Sequence, residues 1–152
     1  MAYEITIADY SSDWALTERP QHPRTIPGYL TKEDVIKFYG TLGIQGMEVN
    51  HSYWYDYKPP DLKRLAGDAG VPIVTYVVSV DLALPPSDRQ RALDELFALF
   101  DRTAELGASR VFLIPAERHI QFSLTEQRAW LIDGLRQAAD RARAMGITII
   151  CE

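Results

Sequence analysis

Pro72-Ile-Val-Thr-Tyr-Val-Val-Ser-Val80 is almost continuously apolar and rich in β-branched residues. A strand of that composition is buried on both faces, as in a parallel sheet covered by helices; a half-solvated antiparallel strand would alternate instead. Its flanks agree. Before it, Pro59-Pro60-Asp61 opens a short helix that carries Leu62, Leu65, Ala66 and Ala69 and stops at Gly70. After it, Pro85-Pro86-Ser87 opens a longer helix, with Ser87 as N-cap. Its core stripe is Leu93, Leu96, Phe97, Phe100 and Ala104, and Gly107 ends it. Helix, buried strand, helix is the unit of a β/α fold.

The same unit recurs along the chain. Tyr3–Ile7, Ile44–Asn50, Arg110–Ile114 and Ile147–Cys151 read as further strands. Between the first two lies a polar stretch, Asp9–Tyr29, with Pro20, Pro23, Pro27 and Gly28. It reads as a long surface loop, of a length that tends to be functional or mobile. Thr31-x-x-Asp34 is a variant capping box, followed by Val35, Phe38 and Leu42 on one helix face and Gly43 as stop. Ser123-x-x-Glu126 is a full capping box, followed by Leu131, Leu135, Ala138, Ala142 and Met145, with Gly146 as stop. One phrase marks each helix-to-strand junction: Leu42-Gly43-Ile44, Ala69-Gly70-Val71, Leu106-Gly107-Ala108 and Met145-Gly146-Ile147. Each joins a last core contact to a helix-stop glycine, a weak internal repeat.

Strict β-α alternation implies parallel strands with right-handed crossovers. Two placements accommodate five of them. One is a flavodoxin-like doubly wound sheet, for which about 150 residues is a natural size. The other is the N-terminal part of a (β/α)8 TIM barrel, which needs about 250. The sequence stops at a strand with no helix behind it, so the expectation is a single α/β domain over 1–152, an incomplete barrel cut after strand five. Such a fragment leaves barrel-interior side chains, among them Ile73, Thr75 and Val77 or their alternates, facing water, together with two open sheet edges. A homo-oligomer is expected for that reason.

Composition narrows the function. Of 152 residues, 47% are hydrophobic and 24% charged, as in an ordinary soluble domain, and the formal charge of −5 offers no cationic excess for nucleic acid. No apolar run is long enough for a membrane span, and Met1–Trp14 lacks the basic start of a signal peptide, so a cytoplasmic protein is expected. The single cysteine, Cys151, excludes an internal disulfide and reads as a buried strand residue. Phosphate-loop, nucleophile-elbow and H-E-x-x-H motifs are absent.

In parallel α/β folds chemistry sits at the carboxyl ends of the strands. There the sequence offers Asp9, Tyr10 and Trp14, then Asn50, His51, Tyr53, Trp54 and Tyr55, then Asp81, then Glu117, Arg118 and His119, and last Glu152. His51-Ser-Tyr-Trp-Tyr-Asp-Tyr57 is unusually aromatic for a loop and would suit the apolar face of a sugar, or packing over the barrel mouth. Glu48, inside its strand, points either into the barrel or outward to a cation. His22 sits in the Pro-rich loop. Asp81 alone has the position of a phospho-acceptor in a receiver domain.

Gly146-Ile-Thr-Ile-Ile-Cys-Glu152 resembles the strand that carries the first metal-ligand glutamate of the xylose-isomerase-like TIM barrel superfamily (sugar isomerases and epimerases, dehydratases and endonuclease relatives of the AP endonuclease family 2 type). Gly43-Ile-Gln-Gly-Met-Glu-Val49 and Leu106-Gly-Ala-Ser-Arg-Val-Phe112 are similar to its second and fourth strands, in order and at fitting spacing. The resemblance implies that the chain is the N-terminal part of a divalent-metal-dependent (Mn, Mg, Co or Zn) isomerase or epimerase in carbohydrate metabolism. A dehydratase on the same scaffold is the alternative, and a flavodoxin-like binding domain lies outside the resemblance. Glu152 would be both metal ligand and catalytic group. Trp14, His51, Trp54, Glu117 and His119 would contact a polyol or hydroxy-carbonyl substrate. The remaining ligands would lie beyond Glu152, so this chain alone is expected to be inactive and to hold no metal tightly.

Overall fold

The structure is a computed structural model that describes residues 6–8 and 31–151. The segment Asp9–Tyr29, with Trp14 and His22, and the terminal Glu152 lie outside the described residues. The strands are β1 (Thr6–Ala8), β2 (Gly46–Asn50), β3 (Ile73–Ser79), β4 (Arg110–Ile114) and β5 (Thr148–Cys151). The helices are α1 (Lys32–Gly40), α2 (His51–Trp54), α3 (Pro59–Asp68), α4 (Pro86–Leu106) and α5 (Leu124–Ala144). Strand order follows chain order, β1-β2-β3-β4-β5. A flavodoxin-like sheet would place β1 between β2 and β3; the sequential order is that of a barrel wall. The chain divides within β3 into two compact units, Met1–Val74 and Thr75–Glu152.

In the first unit β1 runs parallel to β2, with Thr6 opposite Gly46 and Ala8 opposite Glu48. The Met47 N–H donates to the Pro72 carbonyl at 2.9 Å, so the other side of β2 meets the start of β3. The Thr31 hydroxyl accepts from the Asp34 N–H while the Asp34 carboxylate accepts from the Thr31 N–H, completing the capping box of α1. The buried face of α1 is Val35, Ile36 and Tyr39, whereas Phe38 and Leu42 are about half exposed. The expected stripe through Phe38 and Leu42 is thus rotated: Tyr39 buries its ring in the place assigned to Phe38. On α3, Leu62 and Ala66 are buried as the spacing implies. The aromatic segment read as a loop instead starts as α2, because the Asn50 side chain accepts from the Ser52 N–H at 3.0 Å and caps a helical turn.

In the second unit β3 pairs with β4 and β4 with β5, all parallel. Register places Tyr76 and Val78 beside Val111 and Leu113, and all four are buried. The opposite face carries Val77, Phe112 and Ile150 in register. Thr75 and Val77 do not face water as expected: they are 2% and 6% exposed. On the strands of this unit, apolar exposure falls instead on Ile114 and Ile150, at 41% and 39%.

Helix α4 buries Leu93, Leu96, Leu99, Phe100 and Leu106; Phe97 is only partly covered and Ala104 is exposed, against expectation. Its N-cap is Pro85 and not Ser87: Pro86 takes the first helical position, where a missing N–H costs nothing. Helix α5 starts with both halves of the Ser123–Glu126 capping box made. It buries small residues, Gly134, Ala138 and Ala142, and α4 lies beside it with Arg141–Asp101 and Arg89–Asp133 ion pairs across the seam. Cys151 is exposed, not buried, because β5 pairs only with β4 among the described residues. The four junction glycines 43, 70, 107 and 146 all have positive φ, between 67° and 79°, a conformation that L side chains rarely adopt.

Candidate active site at the strand ends

In the second unit the β3–β4 ladder continues past both strands. The Val80 N–H donates to the Ile114 carbonyl at 3.1 Å and the Leu82 N–H to the Pro115 carbonyl at 2.8 Å. This zipper carries Asp81 alongside the loop Pro115–Phe122. Asp81 Oδ1 accepts from the Ala83 N–H at 2.9 Å and the Glu117 N–H at 3.4 Å. Its Oδ2 contacts His119 Nε2. One carboxylate therefore ties the end of β3 to the loop after β4 by both of its oxygens.

His119 is also held through its backbone. Its N–H donates to Gln127 Oε1 at 2.9 Å, and Gln127 Nε2 donates back to the His119 carbonyl at 2.9 Å and to the Phe122 carbonyl at 2.9 Å. Gln127 is buried on the first turns of α5, so its amide must find such partners. The His119 ring meets Phe122 edge-on, and Phe122 in turn meets Trp130 with centroids 5.0 Å apart. The Asp81 and His119 side chains remain 18% and 21% exposed, covered on most sides yet reachable. Glu117 and Arg118 are exposed on the same loop. Such a set can bind hydroxyl groups and move a proton.

Gln127 carries a signal in the sequence itself. It continues the α5 stripe at 127, 131, 134 or 135, 138 and 142, where a polar residue at a core position requires a buried partner. The joining of Asp81 to His119 was not legible, because it depends on 38 residues of intervening chain.

In the first unit His51 opens α2, half-buried, next to its capping residue Asn50. Trp54, expected to contact ligand, is 1% exposed, with Tyr57 edge-on to it at 5.2 Å and Lys32 Nζ 5.6 Å from its ring centre. Lys32 also pairs with Asp56 at 3.1 Å, so the aromatic segment is tied to the start of α1. Tyr57 donates its hydroxyl to Glu33 and holds that carboxyl below the usual range. The Trp54 ring is therefore buried among the described residues. Glu48 is half-buried and accepts from the Thr6 hydroxyl at 3.5 Å.

Among the described residues no group of three or more His, Cys, Asp or Glu side chains is placed to hold a metal ion. No described helix is long and apolar enough to cross a membrane.

Comparison with known proteins agrees with the strand order. The family described as xylose isomerase-like TIM barrel matches residues 36–152. A 3-dehydroshikimate dehydratase of Pseudomonas aeruginosa is 29% identical over 122 residues, 78% of this chain and 19% of its own length. A sugar phosphate isomerase/epimerase of Parabacteroides distasonis superposes with a TM-score of 0.74 at 14% identity, over 97% of this chain and 50% of that one. An IOLI protein solved with a bound zinc atom superposes with a TM-score of 0.62 at 14% identity, over 77% of this chain and 45% of that one. The chain thus spans about a fifth of the curated relative and about half of these solved structures.

Proposed function

Because the chain belongs to the xylose isomerase-like TIM barrel family, which includes sugar epimerases and a 3-dehydroshikimate dehydratase, we propose that it is the N-terminal part of a divalent-metal-dependent isomerase or epimerase of sugars or sugar phosphates. The observation that carries this reading is the meeting of Asp81 and His119 beyond the carboxyl ends of β3 and β4, where this fold does its chemistry. The reaction is proton abstraction from the carbon next to a carbonyl, giving an enediolate, with proton return to the neighbouring carbon or to the other face. His119 and Glu117 contact substrate hydroxyls, with His51 and Trp14 as further contacts. Glu152 is the metal ligand and an acid/base. Trp54 is left out because its ring is buried.

A dehydratase is the second reading, favoured by the 29% identity to the Pseudomonas enzyme. It shares proton abstraction next to a carbonyl and then expels water. The test is product analysis on the longer parent protein, with manganese present, because this chain alone is expected to be inactive. Ketohexoses and ketose phosphates are offered in one series, 3-dehydroshikimate in the other. Isomerised sugar supports the first reading. An aromatic product from 3-dehydroshikimate selects the second. No product in either series overturns both.

A further inference from the structure

A carboxylate can only accept hydrogen bonds, so in the contact between Asp81 Oδ2 and His119 Nε2 the imidazole donates. In the neutral ring that fixes the proton on Nε2 and leaves Nδ1 as the nitrogen with a lone pair. Nδ1 has no partner among the described residues, whereas the groups around it are engaged: Asp81 Oδ1 by two backbone N–H groups, the His119 N–H and carbonyl by Gln127. The backbone clamp from buried Gln127 and the edge of Phe122 restrict how the ring can turn. Three elements thus converge to hold one imidazole in one tautomer with one basic nitrogen unengaged. A histidine kept only for packing does not need its tautomer set by a doubly anchored carboxylate.

We propose that Asp81 and His119 form a proton-transfer pair, His119 acting through Nδ1 on a substrate hydroxyl and Asp81 as its positioning residue. The inference rests on the hydroxy-carbonyl substrate class of the proposed function and names the group that handles the oxygen-bound proton. The substrate O–H bond breaks, its proton moves to Nδ1, and the electron pair stays on oxygen. The imidazolium then carries a proton on each nitrogen and faces the Asp81 carboxylate. The Nδ1 proton passes to the adjacent oxygen of the hydroxy-carbonyl pair, which restores the neutral ring with no net proton consumed.

Asp81→Asn is the discriminating variant. The asparagine Oδ1 still accepts from Ala83 and Glu117, so the loop tie is kept. Its amide nitrogen donates to Nε2, which drives the ring proton to Nδ1 and blocks proton acceptance there. The measurement is nitrogen NMR of the His119 ring in the 15N-labelled longer parent protein that the proposed function implies, at a pH where the ring is neutral, with D-fructose and with 3-dehydroshikimate as probes. The expected result is an unprotonated Nδ1 that moves on adding a probe in the wild type, and a protonated Nδ1 that does not move in Asp81→Asn. Where turnover is detected, Asp81→Asn and His119→Gln each lower kcat by about 10²–10⁴-fold with KM little changed. A proton on Nδ1 in the wild type overturns the positioning role of Asp81. Probes that shift other strand-end resonances but not the His119 ring overturn the pair and leave the functional reading standing. No shift anywhere with either probe overturns the functional reading, and the pair with it.

Discussion

A β-carbon on Gly134 would stand 3.0 Å from Leu82 Cβ and 3.4 Å from Arg89 Cδ, so α5 approaches the segment after β3 as closely as a side chain allows. Leu82 follows Asp81, and α5 also carries Gln127, so this approach sets the distance between the two loops that hold His119. Gly134→Leu is expected to lower stability by about 1–3 kcal/mol through overpacking. It should also perturb the His119 and Phe122 amides in an NMR spectrum. Denaturant unfolding unchanged from the wild type would show that α5 can move away without cost.

The core of the second unit makes a plainer test. Leu96 and Phe100 of α4 are fully buried. Leu96→Ala and Phe100→Ala are each expected to cost about 2–5 kcal/mol, from lost transfer energy plus a cavity. Losses under about 0.5 kcal/mol at both, by urea titration, would contradict the orientation of α4.

The cap of α5 gives a pH dependence. The Ser123 hydroxyl and backbone N–H hydrogen-bond the Glu126 carboxylate and hold its pKa below the ordinary value. A carboxyl whose pKa is lowered in the folded state adds stability above its ordinary pKa, and that stability is lost as pH falls through the lowered value. Ser123→Ala is expected to cost about 1 kcal/mol at neutral pH, typical of an N-cap. The difference from wild type should shrink as acid protonates Glu126. A gap that widens in acid would contradict the capping box as its source.

Much of the fold was legible because it rests on local rules. The capping boxes at Thr31 and Ser123 and the helix-stop glycines formed where the sequence placed them. Which apolar residue a helix buries was less so. Val35, Phe38 and Leu42 fit a helix face as well as Val35, Ile36 and Tyr39 do, and only packing against neighbours chooses. Of the site, His119 was legible as a strand-end imidazole. Its partner was not, since Asp81 reaches it through a loop register set by the hydrogen bond from Leu82 to Pro115. Cys151 read as core because its strand is apolar, yet exposure depends on what lies beside the strand, which a local pattern does not carry.

Ile114 and Ile150 expose apolar surface on one face of the second unit's sheet. Exposed faces and edges of this kind drive association. The 152-residue chain is expected to sediment as a dimer or larger species at micromolar concentration. A monomer throughout that range would contradict this. Ile114→Lys, which places a charge on the face, should shift the distribution toward monomer.

Solvent deuterium incorporation tests most directly whether this protein moves a proton next to a carbonyl. The longer parent protein that the proposed function implies is incubated in heavy water with manganese and, separately, with a ketohexose, a ketose phosphate and 3-dehydroshikimate, and the carbon-bound protons are followed by NMR. The expected result is exchange at the carbon beside the carbonyl of at least one substrate, abolished in Glu152→Gln. No exchange with any of them, or exchange that Glu152→Gln leaves untouched, would contradict the proposed function or the role given to Glu152, respectively.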